Sequence, residues 1–231
     1  MVATYHPDTE LLTAFSAGSM PLSQALCVSA HLEMCPDCQN SLRNLNKLGA
    51  HVFNKMKPSK VSDDLKESVF SKLGDTAIQN PASVIQDVNK ARPVDSGVPK
   101  CLNQFIDGDY DSLSWHWVSP SIRQANLCVD GNGARVALLR IKPGGKASHH
   151  THMGEEITMV LKGAFSDESG IFQQGDFVLR GSNDKHRPMA TKDSECICLT
   201  VLDAPIQFTG YFTRWLNPLL RLGQPHSKDF H

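Results

Sequence analysis

The stretch "GGKASHHTHMGEEITMVLKG", residues 144–163, packs three histidines and two adjacent glutamates in front of an apolar run. Side chains alternate along an extended chain, so His150 and His152 share one face while His149 points to the other. A turn at Met153 and Gly154 brings the chain back, and Glu156, opening the next strand, adds an oxygen to the two nitrogens. Downstream, "GDFVLRGSNDKH" (175–186) ends in His186, a fourth donor. Three imidazoles and a carboxylate suit Zn, Mn, Fe or Ni. His149, His116 and His51 read instead as surface or packing histidines.

Working outward, "SLSWHWV" (112–118), "ARVALLRI" (134–141), "GDFVLR" (175–180) and "ECICLTVL" (195–202) are β-branched or aromatic runs separated by Gly, Asp, Asn and Pro. Short strands with no helices between them predict an antiparallel sandwich or barrel. The segment "TRWLNPLLRLG" (213–223) is expected to close the chain with a helical turn. Cys196 and Cys198 alternate on one strand and face one side, close to the His186 loop, which makes them a candidate redox pair. A bridge between such neighbours is strained, so sulfenic acid formation or bridge transfer is equally open. Small buried hydrophobes are the plainer reading.

The first 56 residues have a different texture. Asp8 caps a helix with Leu11, Leu12 and Phe15 on one side, stopped by Gly18. Pro21 opens a second helix running towards His31. Cys35 and Pro36 start a third, along which Leu42, Leu45, Leu48 and Val52 recur at steps of three or four. These predict short amphipathic helices, too few to bury a self-sufficient core, the situation in which a structural metal is recruited. His31-x3-Cys35-x2-Cys38 supplies three donors for a tetrahedral zinc. His6 and Cys27 compete for the fourth place; His6 is favoured because it would tie the first helix into the bundle. A further helix, opening near Ser62, carries Leu65, Val69 and Leu73 in one stripe with Phe70 beside it. That face either packs on its own bundle or docks in a partner's groove.

Residues 75–100 are rich in turn formers and polar residues. The expected organisation is therefore a helical domain at 1–85, a linker at 86–100 and a β-barrel domain at 101–231. A formal net charge of -1 offers no global field for nucleic acid or an anionic membrane. Arg43, Lys47 and Lys55 on the third helix are too sparse to track phosphates. No apolar run approaches bilayer length, and no signal peptide opens the chain, so a soluble cytoplasmic protein is expected. Seven cysteines at uneven spacing fit ligation or redox chemistry rather than a disulfide framework.

Two resemblances follow. Gly144, His150, His152, Glu156 and Gly163 fill the first cupin motif, G-x5-H-x-H-x3-E-x6-G, without a gap. The second motif retains Gly175 and His186 but has Gly181 in place of proline, Asn183 in place of glycine and Ala190 in place of asparagine. The helical head with its His6, His31, Cys35 and Cys38 resembles the zinc anti-sigma domain, and head plus barrel together are similar to the ChrR family of anti-sigma factors. The resemblance implies a zinc-binding helical bundle followed by a cupin (jelly-roll) barrel. It implies zinc on His6, His31, Cys35 and Cys38, and a second divalent metal on His150, His152, Glu156 and His186. It implies no enzyme but an inhibitor of an extracytoplasmic-function (ECF) sigma factor, whose barrel senses oxidants such as singlet oxygen and triggers release. The competing expectation is a cupin metalloenzyme, a dioxygenase or isomerase, using the head for oligomerisation.

Overall fold

The computed structural model describes residues 3–62, 64–75, 97–152, 154–182, 184–203 and 206–208, without the side chains of residues 73–75, 152 and 206–208. Most of the expected linker, the expected turn at 213–223, Asp63, Met153 and Asn183 lie outside the described residues, as do the side chains of Leu73 and His152.

Four helices come first: α1 (Thr9–Ser16), α2 (Leu22–Met34), α3 (Pro36–Lys55) and α4 (Leu65–Asp75). Their limits follow local chemistry. Asp8 Oδ1 accepts the Leu11 amide at 2.8 Å, as a cap should. The Cys35 sulfur accepts the Cys38 amide at the start of α3, with Pro36 at the first helical position. Pro21 is the cap residue of α2 rather than part of its first turn.

The helices are not all amphipathic as expected. In α2 the buried residues Ser23, Leu26, Cys27, Val28, Ala30, His31 and Leu32 spread over most of the cylinder and leave a narrow exposed strip at Leu22 and Glu33. In α3 the expected apolar stripe divides. Leu42 and Leu45 pack on the core, but Leu48 and Val52 are exposed together with Phe53 and Met56. Length explains this: 20 residues at 1.5 Å each make α3 about 30 Å long, so its second half overruns the 8-residue α1 and 13-residue α2.

Among the described residues twelve strands pair antiparallel throughout, β1 (His116–Ser119), β2 (Ile122–Val129), β10 (Met189–Ala190), β12 (Ile206–Phe208) and eight others. Those eight are β3 (Arg135–Ile141), β4 (His150–His152), β5 (Glu156–Lys162), β6 (Ala164–Asp167), β7 (Gly170–Gln173), β8 (Phe177–Arg180), β9 (Lys185–His186) and β11 (Cys196–Leu202), and the sheets are ordered β1-β2-β3-β11-β5-β8, β10-β6-β7 and β12-β4-β9. At the β5–β6 turn Gly163 has φ +70°, and an added Cβ would fall 2.1 Å from the Glu195 carbonyl oxygen, so only glycine closes it.

The large sheet is buried on both faces. Val136, Leu138, Ile157, Met159, Leu161, Phe177, Ile197, Leu199 and Val201 share one core with Leu12, Leu26, Val28, Ala30 and Leu32 of the head. The alternate residues Ile141, Val160, Val178, Cys196 and Cys198 turn inward and pack with Phe165 and Phe172. Double burial is why β5 and β11 read as nearly unbroken apolar runs. Helix α2 thus lies on the outside of the barrel wall, and head and barrel share one core.

Two candidate metal centres on opposite faces of one sheet

On the head side, one donor atom from each of His6, His31, Cys35 and Cys38 lies within 4.8 Å of every other. Cys35 and Cys38 come from the first turn of α3, His31 from the last turn of α2 and His6 from the segment before α1. His6 Nδ1 is 3.4 Å from Cys35 Sγ and 3.5 Å from Cys38 Sγ. In a zinc tetrahedron with thiolates at about 2.3 Å and imidazoles at about 2.0–2.1 Å, such edges are about 3.5 Å. The His31 ring donates from Nδ1 to the Gly175 carbonyl oxygen at 2.8 Å, which leaves the Nε2 lone pair. That Nε2 is buried and has no hydrogen-bond partner among the described residues. A buried acceptor with nothing to accept is costly unless a cation meets it, so the donor set fits the ion implied by the sequence.

The electrostatics agree. Burial, followed by the Cys35 hydrogen bond, pushes the Cys38 thiol up to about 12. Burial also lowers the His31 pKa, partly offset by its bond to Gly175. Each shift disfavours charge on the side chains by themselves, and a divalent cation reverses that preference by binding thiolate and neutral imidazole. Cys27, the rival for the fourth place, is fully buried in the core and stands outside the donor group.

On the lumen side, His150, Glu156 and His186 come together, all buried. Strand β9 pairs with β4 so that His150 and His186 are cross-strand partners, and Glu156 opens β5. His150 Nε2 and His186 Nε2 stand 3.0 Å apart, and His186 Nε2 is 3.4 Å from Glu156 Oε2. His150 Nδ1 donates to the Ser148 carbonyl oxygen at 2.8 Å, while His186 Nδ1 faces Asp167 Oδ2 at 3.4 Å. Both rings therefore turn lone-pair nitrogens to a common point, an arrangement that a metal ion fits. Asp167, fully buried, also holds the Arg180 guanidinium at 2.6 Å. His149 points away, 3.5 Å from Glu168, as alternation requires.

Cys196 and Cys198 have their sulfurs 3.5 Å apart, both buried in the barrel interior. The hydrogen bond with Cys196, and then burial, raise the Cys198 pKa well above that of a free thiol. As thiols they are poor nucleophiles.

Of the residues expected to meet a partner, Leu65, Val69 and Phe70 are exposed on α4. The sequence reading missed a second exposed row, on α3 and its C-cap: Leu48, Val52, Phe53 and Met56 are each more than half exposed. The signal was present as an apolar stripe that outlasts the two shorter helices available to cover it.

Fold and sites define a class: a thiolate–imidazole helical head seated on a cupin barrel that carries its own imidazole–carboxylate centre. Residues 103–205 match the family model described as the ChrR cupin-like domain. The chain is 32% identical over 223 residues to the anti-sigma-E factor ChrR of Cereibacter sphaeroides, spanning 96% of this chain and 100% of that protein. It superposes with a TM-score of 0.70 and 27% identity on ChrR in the crystal structure of Rhodobacter sphaeroides SigE in complex with the anti-sigma ChrR, covering 87% of this chain and 100% of that one. The chain belongs to the ChrR family.

Proposed function

We propose that this protein is an anti-sigma factor: its head captures an ECF sigma factor and holds it from core RNA polymerase, and its barrel centre triggers release under oxidative stress. The observation that carries the reading is the uncovered apolar surface of α3 and α4, on a chain similar along its whole length to a protein solved in complex with a sigma factor. Soluble monomers seldom leave residues such as Phe53 (73% exposed) and Phe70 (62%) on one small domain without a partner to bury them. The contact is of the helix-in-groove kind, made by Leu65, Val69, Phe70 and Leu73 together with the α3 row.

Zinc is the ion assigned to the head. It supplies no chemistry of its own there beyond binding two thiolates and two imidazoles, and so fixing α1, α2 and α3 against one another. The barrel centre takes a second divalent ion of the Zn, Mn, Fe or Ni group on His150, His152, Glu156 and His186. Cys196 and Cys198, which share the barrel interior with that centre although Cys198 lies opposite Val160 and not Glu156 in the β11–β5 register, are candidate redox residues in the sensing step. No helix among the described residues is long and apolar enough to cross a membrane; the role proposed is that of a cytoplasmic regulator and not of an enzyme.

Co-expression with an ECF sigma factor encoded beside it tests the reading. The expected result is a stoichiometric complex that blocks sigma-dependent transcription in a reconstituted assay, and that comes apart when a chelator strips the head. Turnover of an organic substrate by the metal-loaded chain, with no sigma factor captured, would replace the reading with a cupin enzyme.

A further inference from the structure

Two of the four head donors are held by the barrel rather than by the head. The β7–β8 turn, from Gln173 to Phe177, reaches both of them. Its Gly175 carbonyl oxygen accepts the His31 Nδ1 proton at 2.8 Å. Its Asp176 carboxylate, with no solvent exposure, accepts the amides of Thr4 at 2.6 Å and Tyr5 at 3.0 Å on Oδ1, and that of Gln173 at 2.7 Å on Oδ2. The Phe177 amide completes the grip by donating to the Tyr5 carbonyl oxygen at 3.0 Å. Thr4 and Tyr5 lead directly into His6, which belongs to no helix or strand, and the Tyr5 ring, 4.6 Å from that of Phe172, is the other anchor of this segment. The approach is close enough that a Cβ on Gly175, itself at φ +97°, would touch Ala3 Cβ at 3.5 Å.

We propose that this turn is the outer shell of the head's metal site, with Asp176 as its positioning residue, so that the barrel sets how long the head retains its ion. The proposal rests on the reading of the four-donor group as a metal site. Partners that orient a liganding imidazole contribute strongly to retention, since a ligand free to swing away must be recaptured before the ion escapes. Cys35 and Cys38 are oriented by the first turn of α3 and need no such help. His6 depends on the clamped Thr4–Tyr5 segment, and His31 on the Gly175 carbonyl. Loss of the Asp176 carboxylate therefore frees one imidazole directly and relaxes the turn that orients the other.

The test uses the full chain loaded with zinc, its release timed by a chromogenic chelator in excess, beside the absorption of the Co2+-substituted protein. In Asp176→Asn, release is expected to quicken by about tenfold, the low end of the effect of losing an outer-shell partner, with the Co2+ thiolate bands still present and the barrel's metal content unchanged. Glu33→Gln is the control: Glu33 also crosses between head and barrel side, accepting the amides of Lys100 at 2.7 Å and Cys101 at 2.9 Å, but touches nothing attached to a donor. Its release rate should match that of the unaltered chain. Should Asp176→Asn fail to fold, Asp176→Glu, which keeps the charge on a longer arm, carries the same expectation. Unchanged release in the Asp176 variant, or equal acceleration by Glu33→Gln, overturns the proposal. An unaltered chain that takes up no Co2+ at the two sulfurs would instead overturn the metal reading, and the role of the turn with it.

Discussion

The two donor clusters stand on opposite faces of the same six-stranded sheet, and they differ in chemistry, scaffold and closure. The head cluster has two sulfurs and two imidazoles, four ligands with thiol burial that disfavours the ion-free thiolate. Such a set suits a closed structural site. The barrel cluster offers imidazole and carboxylate, borderline-hard donors that leave the identity of the metal open and suit a centre that reacts or exchanges. On the proposed reading the difference is a division of labour: one ion would keep a binding surface in shape, the other would stand where a chemical change can be registered, and one sheet lies between them.

The sharpest way to break the comparison is to remove the head sulfurs. Replacing both Cys35 and Cys38 by serine is expected to abolish metal uptake by the head and capture of the sigma factor, while elemental analysis finds the barrel's ion still bound. Loss of both ions would show that the centres are not separate. Next in size, Leu65→Asp together with Val69→Asp should weaken partner affinity by about 100-fold, some 2.8 kcal/mol, measured by titration calorimetry with both ions retained. If affinity holds, α4 is not part of the docking surface. Smaller again, Asp167→Asn removes the carboxylate behind His186 and should lower the barrel's metal affinity about tenfold, as read by competitive chelation, with no change in zinc release from the head. A shared loss would mean that the sheet transmits strain between the sites.

The smallest effect concerns the barrel wall alone. Glu195 accepts from Arg140 at 2.7 Å and from Lys162 at 2.9 Å, and the Arg140 bond is the chief cause of its lowered pKa. A carboxylate with a depressed folded pKa stabilises the fold above its ordinary value, here 4.5, and that contribution disappears as pH falls through the folded value. Glu195→Gln should therefore cost about 1 kcal/mol in urea melts at pH 7 and progressively less as the pH falls below 4.5. A cost that persists in acid would point to packing instead.

Much of this was legible in residue order. His31, Cys35 and Cys38 sit at a helix end and the next helix start, where a few residues fix their geometry, and His150 and Glu156 are near neighbours in the chain, although β4 and β5 go to different sheets instead of pairing across the expected turn. Asp8 and Cys35 announce their caps for the same local reason. Less was legible wherever the partner is distant. Nothing near Leu48 says that α1 and α2 stop short of it, and nothing near Val28 says that a barrel wall covers it. The outer shells were hidden altogether: Gly175 and Asp176 lie some 140 residues from His31 and 170 from Thr4 and Tyr5, and Asp167 meets His186 only after β6 has been folded beside β7. His6 is favoured over Cys27 as the donor that would tether the first helix, and Asp176 in turn tethers the segment that leads into His6.

The burial of α2 against β5, β8 and β11 has a consequence for engineering. Transplanting this head onto a foreign receptor would leave Leu26, Val28 and Ala30 facing water, so a chimera needs a replacement cover as greasy and as closely shaped as the jelly roll it lost. Modules that look exchangeable in a diagram of the chain are, at the level of side chains, cut from one piece.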